Sequence, residues 1–571
     1  MNLPTEQIDR WGERWLRIFW RKPPVDVAER TRRRVTVHLL PFLFLLYILA
    51  YLDRVNVSVA QLGMELSPGE GGVGFSRSVV AFGAGMFFAG YWILEIPSAL
   101  SVVRGSARWV FVRVLVLWGA CATLVAYIGL PFAAAWFSWL PHLPENWLGL
   151  SGVAQFVNGL RTDAKYQFYF FRFMLGFFEG GFFPSVIMYL SLWFRTQDRA
   201  KAIALFMAAI PLSSAIGSPI SSALLGVHWF GLPGWRWIFI VEGLVPVCAA
   251  IATMFLLPDR PEKARWLPEV ERSWLMGELE AEHRSKQTQG HGAWVHHLGM
   301  VFLLTAVYFG LNVMSYGLST FMPAIIKSQS GVSSQVAGYL ATVPFVFAFL
   351  AMLLNGWHSD LKRERIWHVC VPLATVSVGM LLAAALDAVP LASVLIIMVV
   401  VGSCMYAHLP TFWPIPTMFL GAAAAASAIG FINMFGNLGG FLGPNIVGRS
   451  VDEDIRWVDS LLKDAHGEAL AGGDLLRLNK LAETMAGSNR LTAEQASRLD
   501  QLLNIVRAGQ TVDHSQQIEL NELLAKGASF AGALQRLAPW PMMSAVIILL
   551  VGYFRRRVSA KRLAPAELPG T

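Results

Sequence analysis

The sequence predicts an all-α integral membrane protein: twelve transmembrane helices in two pseudo-symmetric six-helix bundles, with an extra helical insertion before the last helix. Three observations predict it. Hydrophobic residues make up 55% of the 571 positions and charged residues 15%, where a soluble domain carries about a quarter charged; mean hydropathy is +0.49. Apolar runs of bilayer-spanning length recur about a dozen times along the chain. Lys/Arg clusters sit beside every second connection, which is the charge signature of cytoplasmic loops.

The totals also exclude classes. The net charge of +8 is gathered at helix ends, so it reports topology, and no nucleic-acid partner is expected. Cys121, Cys248, Cys370 and Cys404 lie inside apolar runs without CxxC or Cys/His spacing, so neither a disulfide frame nor a metal site is expected. The N-terminus is charged and Trp-rich, and the first apolar run is too long for the core of a cleavable signal. No nucleophile elbow or phosphate loop occurs, so no catalytic residue is expected and the chain reads as a non-enzyme.

Taken in order, residues 1–35 form a cytoplasmic segment. Within 4–22, Trp11, Trp15, Ile18 and Phe19 recur at helical spacing opposite Arg10, Arg14, Arg17, Arg21 and Lys22, the pattern of a helix lying on anionic membrane lipid. The apolar runs follow at 36–63, 78–103, 109–130, 167–194, 201–226, 236–257, 297–323, 336–358, 367–387, 391–413, 421–446 and 538–554. The first six (36–257) form the N-terminal bundle. Runs within 297–448 and 538–554 form the C-terminal one, and the twelfth starts at Pro539 and Pro541. A charged linker, 258–296, joins the bundles, and 555–571 is a cytoplasmic tail. With an even count, both termini are cytoplasmic. Asp360 and Arg363 follow the eighth run where Arg104 and Arg108 follow the second; this echo supports a repeat and marks Asp360 and Arg363 as gating or structural residues.

Two insertions then face outward. Residues 131–166 carry Trp136, Trp139 and Trp147. Residues 449–537 are polar and helix-forming, with Leu478/Leu481, Leu499/Leu502 and Leu520/Leu523 spaced by 21. That repeat predicts short amphipathic helices burying their leucines on one another, as a cap packed on the Trp-rich insertion; a solvated helical linker is the alternative.

The chemistry lies in the charges inside the spans. Arg172 and Glu179 are seven residues apart, on one helix face and about 10 Å apart along the axis. A charge at mid-membrane costs about 2.5–3.5 kcal/mol, so the two imply a polar partner or a watery cavity, with a structural ion pair as the plainer reading. Asp53 and Arg54 point about 100° apart, which sends Arg54 towards an anionic substrate and Asp53 towards a partner or a proton path. Glu95 lies near the cytoplasmic end of the second run and reads as a gate or structural contact. Glu242 pairs within its own half, and His408 reads as structural. Tyr308, Asn312 and Tyr316 form an i, i+4, i+8 stripe that can bind carboxylate or hydroxyl oxygens or glue helices together. In the eleventh run, Asn433 is assigned to the cavity and Asn437 to structure.

Tyr51-Leu-Asp53-Arg54-Val-Asn56-Val-Ser58, Arg172-Phe-Met-Leu-Gly176-Phe-Phe-Glu179-Gly-Gly-Phe-Phe-Pro184, Gly234-Trp-Arg236-Trp-Ile-Phe-Ile-Val-Glu242-Gly243, Tyr316-Gly-Leu-Ser-Thr and Gly436-Asn437-Leu-Gly439-Gly440 resemble the anion:cation symporter family of the major facilitator superfamily. The nearest branch is the bacterial permeases for tartrate, phthalate, hydroxyphenylacetate and sugar acids. The resemblance spans about 36–448 and resumes at 538. It implies import of a small organic carboxylate by proton symport, with no cofactor beyond the coupling proton, through a monomer in the bacterial inner membrane. It assigns carboxylate binding to Arg54 and Arg172, proton coupling to Asp53 and Glu179, and cavity roles to Tyr51, Tyr91, Tyr316 and Asn433. The loop after the second run lacks the superfamily's usual Asp. An uncoupled facilitator and a carboxylate sensor that uses 449–537 are the alternatives.

Overall fold

The computed structural model describes residues 26–145, 150–195, 198, 202, 206–287, 298–385, 390–419, 422–464, 472–486, 491–508, 510 and 512–563. The amphipathic segment expected at 4–22 lies outside them. The first half contains α1 (Val27–Met64), α2 (Arg77–Arg104), α3 (Ala107–Val125), α4 (Ala164–Glu179), α5 (Phe182–Ser191), α6 (Ala209–Leu225) and α7 (Gly234–Leu256). The linker holds α8 (Glu269–Gln287). The second half contains α9 (Leu298–Ser330), α10 (Ser334–Leu340), α11 (Thr342–Lys362), α12 (Ile366–Ala385), α13 (Leu391–Ala407), α14 (Ala422–Gly436) and α15 (Gly439–Val451). The insertion supplies α16 (Glu453–Asp464), α17 (Gly472–Ala486), α18 (Ala493–Arg507) and α19 (His514–Gly527), and α20 (Ala531–Leu537) leads into α21 (Pro539–Leu563).

Among the described residues, 10 helical segments are long and apolar enough to cross a membrane. Within the runs at 201–226 and 421–446, the described residues hold α6 and the broken pair α14–α15. The twelfth run is α21, from Pro539, with the short α20 from Ala531 leading into it. Pro539 and Pro541 sit in the first turn of α21, where a missing N–H costs nothing. Side-chain caps set several starts: Asp26 accepts from Ala28 N (3.2 Å), Ser76 from Val79 N (3.4 Å) and Asp163 from Lys165 N (2.9 Å).

Glycines bring the spans together. A Cβ on Gly176 would lie 1.8 Å from the Phe87 carbonyl oxygen, and one on Gly180 2.1 Å from that of Tyr91. In the second half, Gly439 and Gly443 meet the carbonyls of Phe309 and Val313 at 2.2 and 2.1 Å in the same sense. Each i, i+4 glycine pair lets two helix backbones touch. In the first half that contact fixes where the Phe87 and Tyr91 rings can stand.

One end of the bundle carries the start of α1, the end of α21 and α8; the other carries the insertion. At the insertion end the halves are in contact. Gln61 donates to the Thr320 carbonyl (2.6 Å), and Gly338 of α10 packs on Ser222 of α6. At the terminal end α8 docks on the first half: Arg34 pairs with Glu271 (3.1 Å), and Trp266 stacks between His38 and Trp193 with centroids at 4.3 and 5.7 Å.

The insertion is a folded helical cap. All six leucines of the 21-residue repeat are buried in one cluster with Val458, Met485 and Val506. Arg498 and Glu519, one repeat apart, form a two-point pair at 2.8 Å. The Trp-rich insertion packs elsewhere than expected, on the first half: Trp136 and Phe137 pack on Phe171, while Trp139 is 77% exposed.

Candidate functional site

The buried charges converge where α1, α2, α4 and α9 meet. Glu179, the last residue of α4, is fully buried because the helix breaks at Gly180–Gly181 before α5. Its Oε1 accepts from Arg54 Nε at 2.7 Å and lies 2.6 Å from a terminal guanidinium nitrogen. Arg54 also donates to the Tyr316 hydroxyl of the second half at 3.3 Å, and that hydroxyl lies 3.4 Å from the Tyr51 hydroxyl. Three rings enclose the guanidinium: Tyr51 at 4.5 Å, Tyr91 at 4.9 Å and Phe87 at 5.3 Å. A guanidinium held by one carboxylate, one phenol and aromatic faces is oriented without being locked into a multi-acid network.

Glu179 therefore pairs with Arg54 and not with Arg172, its neighbour on α4. Arg172 is 1% exposed and forms no ion pair among the described residues. It donates to the backbone carbonyl of Asp53 at 3.2 Å and stands over the Phe87 ring at 5.3 Å. Its position braces α1 at the Asp53–Arg54 step.

Asp53 is turned into the first half, as its 100° offset from Arg54 requires. It accepts from Trp118 Nε1 of α3 and from Asn56 Nδ2 at 3.1 Å. Glu242 accepts from Ser221 at 2.6 Å, so it stays within its half as the sequence implied.

The remaining candidates separate. Glu95, one turn after Tyr91 on α2, accepts from Asn433 of α14 and so joins the halves on the terminal side of Arg54. Asn312 donates to the Gly436 carbonyl at 3.1 Å, the last helical residue before the α14–α15 break. Tyr308 stacks on Phe412 at 5.7 Å. Of the α9 stripe, only Tyr316 reaches Arg54; its other two members hold helices of the second half together. Asp360 pairs with Arg365, and Arg363 is the left-handed residue (φ 52°) that ends α11, so both shape the turn into α12. His408 is buried where α13 ends.

Sequence reasoning missed Phe87, Trp118 and Asp259. No spacing rule marks one Trp or Phe among many as an acid's partner. Asp259 had a signal, an acid one turn past the sixth span. It accepts from Ser106 (2.5 Å) and from Arg108 N (3.1 Å), so an acid from the other end of the half clasps the loop that lacks its own. Partial burial raises its pKa, but the Ser106 and Arg108 hydrogen bonds outweigh that and hold it below the usual aspartate value.

Comparison with known proteins agrees with this architecture. The profile of the family described as Major Facilitator Superfamily matches residues 43–444. A protein of Agrobacterium vitis provisionally named a tartrate transporter is 40% identical over 425 residues, covering 74% of this chain and 88% of that one. A quinolone resistance transporter of Acinetobacter baumannii is 31% identical over 451 residues, covering 78% and 92%. The crystal structure of a bacterial homolog of the human lysosomal transporter Spinster, inward-facing and occupied, superposes with TM-score 0.60 at 16% identity over 90% of this chain and 96% of that one.

Proposed function

The chain belongs to the major facilitator superfamily of membrane transporters, and from that premise we propose that it imports a small organic carboxylate by proton symport through alternating access. One observation carries the reading: Arg54 is bound at once to a protonatable acid of its own half, Glu179, and to a hydroxyl of the other half, Tyr316. An ionised Glu179 occupies the guanidinium fork. A protonated Glu179 releases it, and a substrate carboxylate takes the vacated place with the two-point geometry that Arg favours. Tyr316 brings the second half to the same ligand, which is how binding biases the rocking of two halves.

The other residues take supporting roles in this scheme. Tyr51 and Tyr91 wall the cavity and offer hydroxyls. Asp53 is the second proton-coupling acid, with Trp118 and Asn56 holding its carboxylate and Arg172 holding its carbonyl. The Glu95–Asn433 bond closes the path on the terminal side, so a departing anion parts it. Asn312 sets the break of the eleventh span, and Asp360 and Arg363 serve structure. The insertion end faces outward and both termini are cytoplasmic, in a bacterial inner membrane. The name of the Agrobacterium relative supports a carboxylate substrate, and the basic clusters support the orientation.

The test is uptake by proteoliposomes under an imposed inward proton gradient, with labelled tartrate, phthalate, 4-hydroxyphenylacetate and a sugar acid. Accumulation above equilibrium that collapses with a protonophore is expected for at least one. Equilibration without accumulation would point to a facilitator, and binding without flux to a sensor.

A further inference from the structure

The helical cap leaves the second half at Asp452, after α15, and returns at Phe530, before α20. Both roots rest on the same spot of the first half, the N-terminus of α2. The Asp452 carboxylate, 3% exposed, accepts from Ser78 N at 2.6 Å and from Ser78 Oγ at 2.5 Å. Phe530, 1% exposed, lies under the Arg77 guanidinium at 4.9 Å. Arg77 pairs with Glu65 at the end of α1 at 3.8 Å. Within the second half, Arg536 bonds Ser450 (2.9 Å) and Glu453 (2.6 Å), which binds the two roots to each other.

An α-helix begins with N–H groups that no turn of its own can satisfy, and its dipole favours a negative charge there. Ser76 satisfies one of them on α2. Asp452, 374 residues along the chain and in the other half, satisfies another. Beside it, Gly448 of α15 packs on Ala81 and on the Arg77 carbonyl of α2. The contact joins the two halves at the very end where they are closed.

We propose that Asp452 and Phe530 form a latch that holds the insertion end shut, and that this end opens only when the Asp452 carboxylate leaves the N-terminus of α2. The cap is the part that couples to it: whatever turns α16 or pulls on the segment after α19 acts directly on a latch residue. The word "opens" rests on the alternating-access reading, but the latch is tested without substrate or protons.

The experiment uses full-length protein in which the four native cysteines are replaced and Ser222, buried against Gly338 of the other half, is replaced by cysteine. A membrane-impermeant maleimide is applied in proteoliposomes of defined orientation. With Asp452 intact, labelling from the insertion side is slow. Asp452→Ala raises the labelling rate about five-fold, the effect of losing a helix-capping side chain worth about 1 kcal/mol. Asp452→Asn, which keeps an acceptor and loses the charge, raises it less. Replacing 454–528 by a short Gly/Ser linker leaves it near the starting rate, because the roots remain. Unchanged labelling in Asp452→Ala, with the melting temperature and elution profile preserved, would overturn the proposal. A linker variant that labels as fast as Asp452→Ala would also overturn it, by placing the closure in the cap and not in its roots.

Discussion

At the scale of single residues, the site turns on which acid each arginine sees. Arg54 bonds Tyr316 of the other half while Arg172 bonds the α1 backbone at Asp53, so equal-looking charges have unequal partners. Arg172→Lys illustrates the difference. A lysine offers one point-charge ammonium where the guanidinium both donates to the Asp53 carbonyl and stands over Phe87, so uptake should fall to about a tenth or less with folding intact. Transport assays alongside a thermal melt check this; full activity would show that the brace is dispensable. Trp118→Phe keeps the ring packing on Phe182 and removes the indole N–H from Asp53. A hydrogen bond to a charged group is worth about 1.5–3 kcal/mol, so proton-driven uptake should drop about ten-fold while expression is unchanged. Sequence carried the intramembrane charges plainly, because a charge in an apolar run is conspicuous. It did not carry their pairing. Arg172 and Glu179 share a helix face, yet Glu179 reaches Arg54, and only the meeting of α1 with α4 decides that.

At the scale of elements, the glycine contacts and helix breaks set the geometry. A Cβ on Gly176 would fall 1.8 Å from the Phe87 backbone oxygen, with no side chain to yield. Gly176→Ala should therefore destabilise the protein by about 1–3 kcal/mol through forced separation of α2 and α4, seen as a lower melting temperature in detergent. It should also loosen the rings around Arg54, which α2 carries. Asp259 gives a pH-dependent counterpart outside the spans. Its folded pKa is depressed, so its stabilisation is complete above the unfolded aspartate value of about 3.9 and is lost as pH falls through the lower folded value. Asp259→Asn should thus melt earlier than the parent at neutral pH, with the gap closing only below about pH 4. A gap that persists in acid would mean that the hydrogen-bond count, not the charge, matters there. The spans themselves were legible as apolar runs, and the cap as a 21-residue leucine repeat. The start of the last span was legible from Pro539 and Pro541, which sit in the first turn of α21; the short helix from Ala531 that leads into it was not.

At the scale of the whole molecule, two halves meet at the insertion end, and near the middle the buried Arg54–Glu179 pair of the first half bonds Tyr316 of the second. The twofold plan was legible from the central charged linker and from the alternation of basic loops. The docking of halves was not, because Gln61, Asp452 and Tyr316 act across more than 250 residues of sequence and show no local pattern. The central claim is that Glu179 competes with substrate for Arg54 and does so through its proton. Glu179→Gln tests it most directly, since glutamine keeps the shape and cannot ionise. In proteoliposomes, the account predicts that this variant loses accumulation driven by a proton gradient yet still exchanges labelled for unlabelled carboxylate across the membrane. Accumulation that persists in Glu179→Gln and still collapses with a protonophore would contradict it, and would move the coupling proton to another acid.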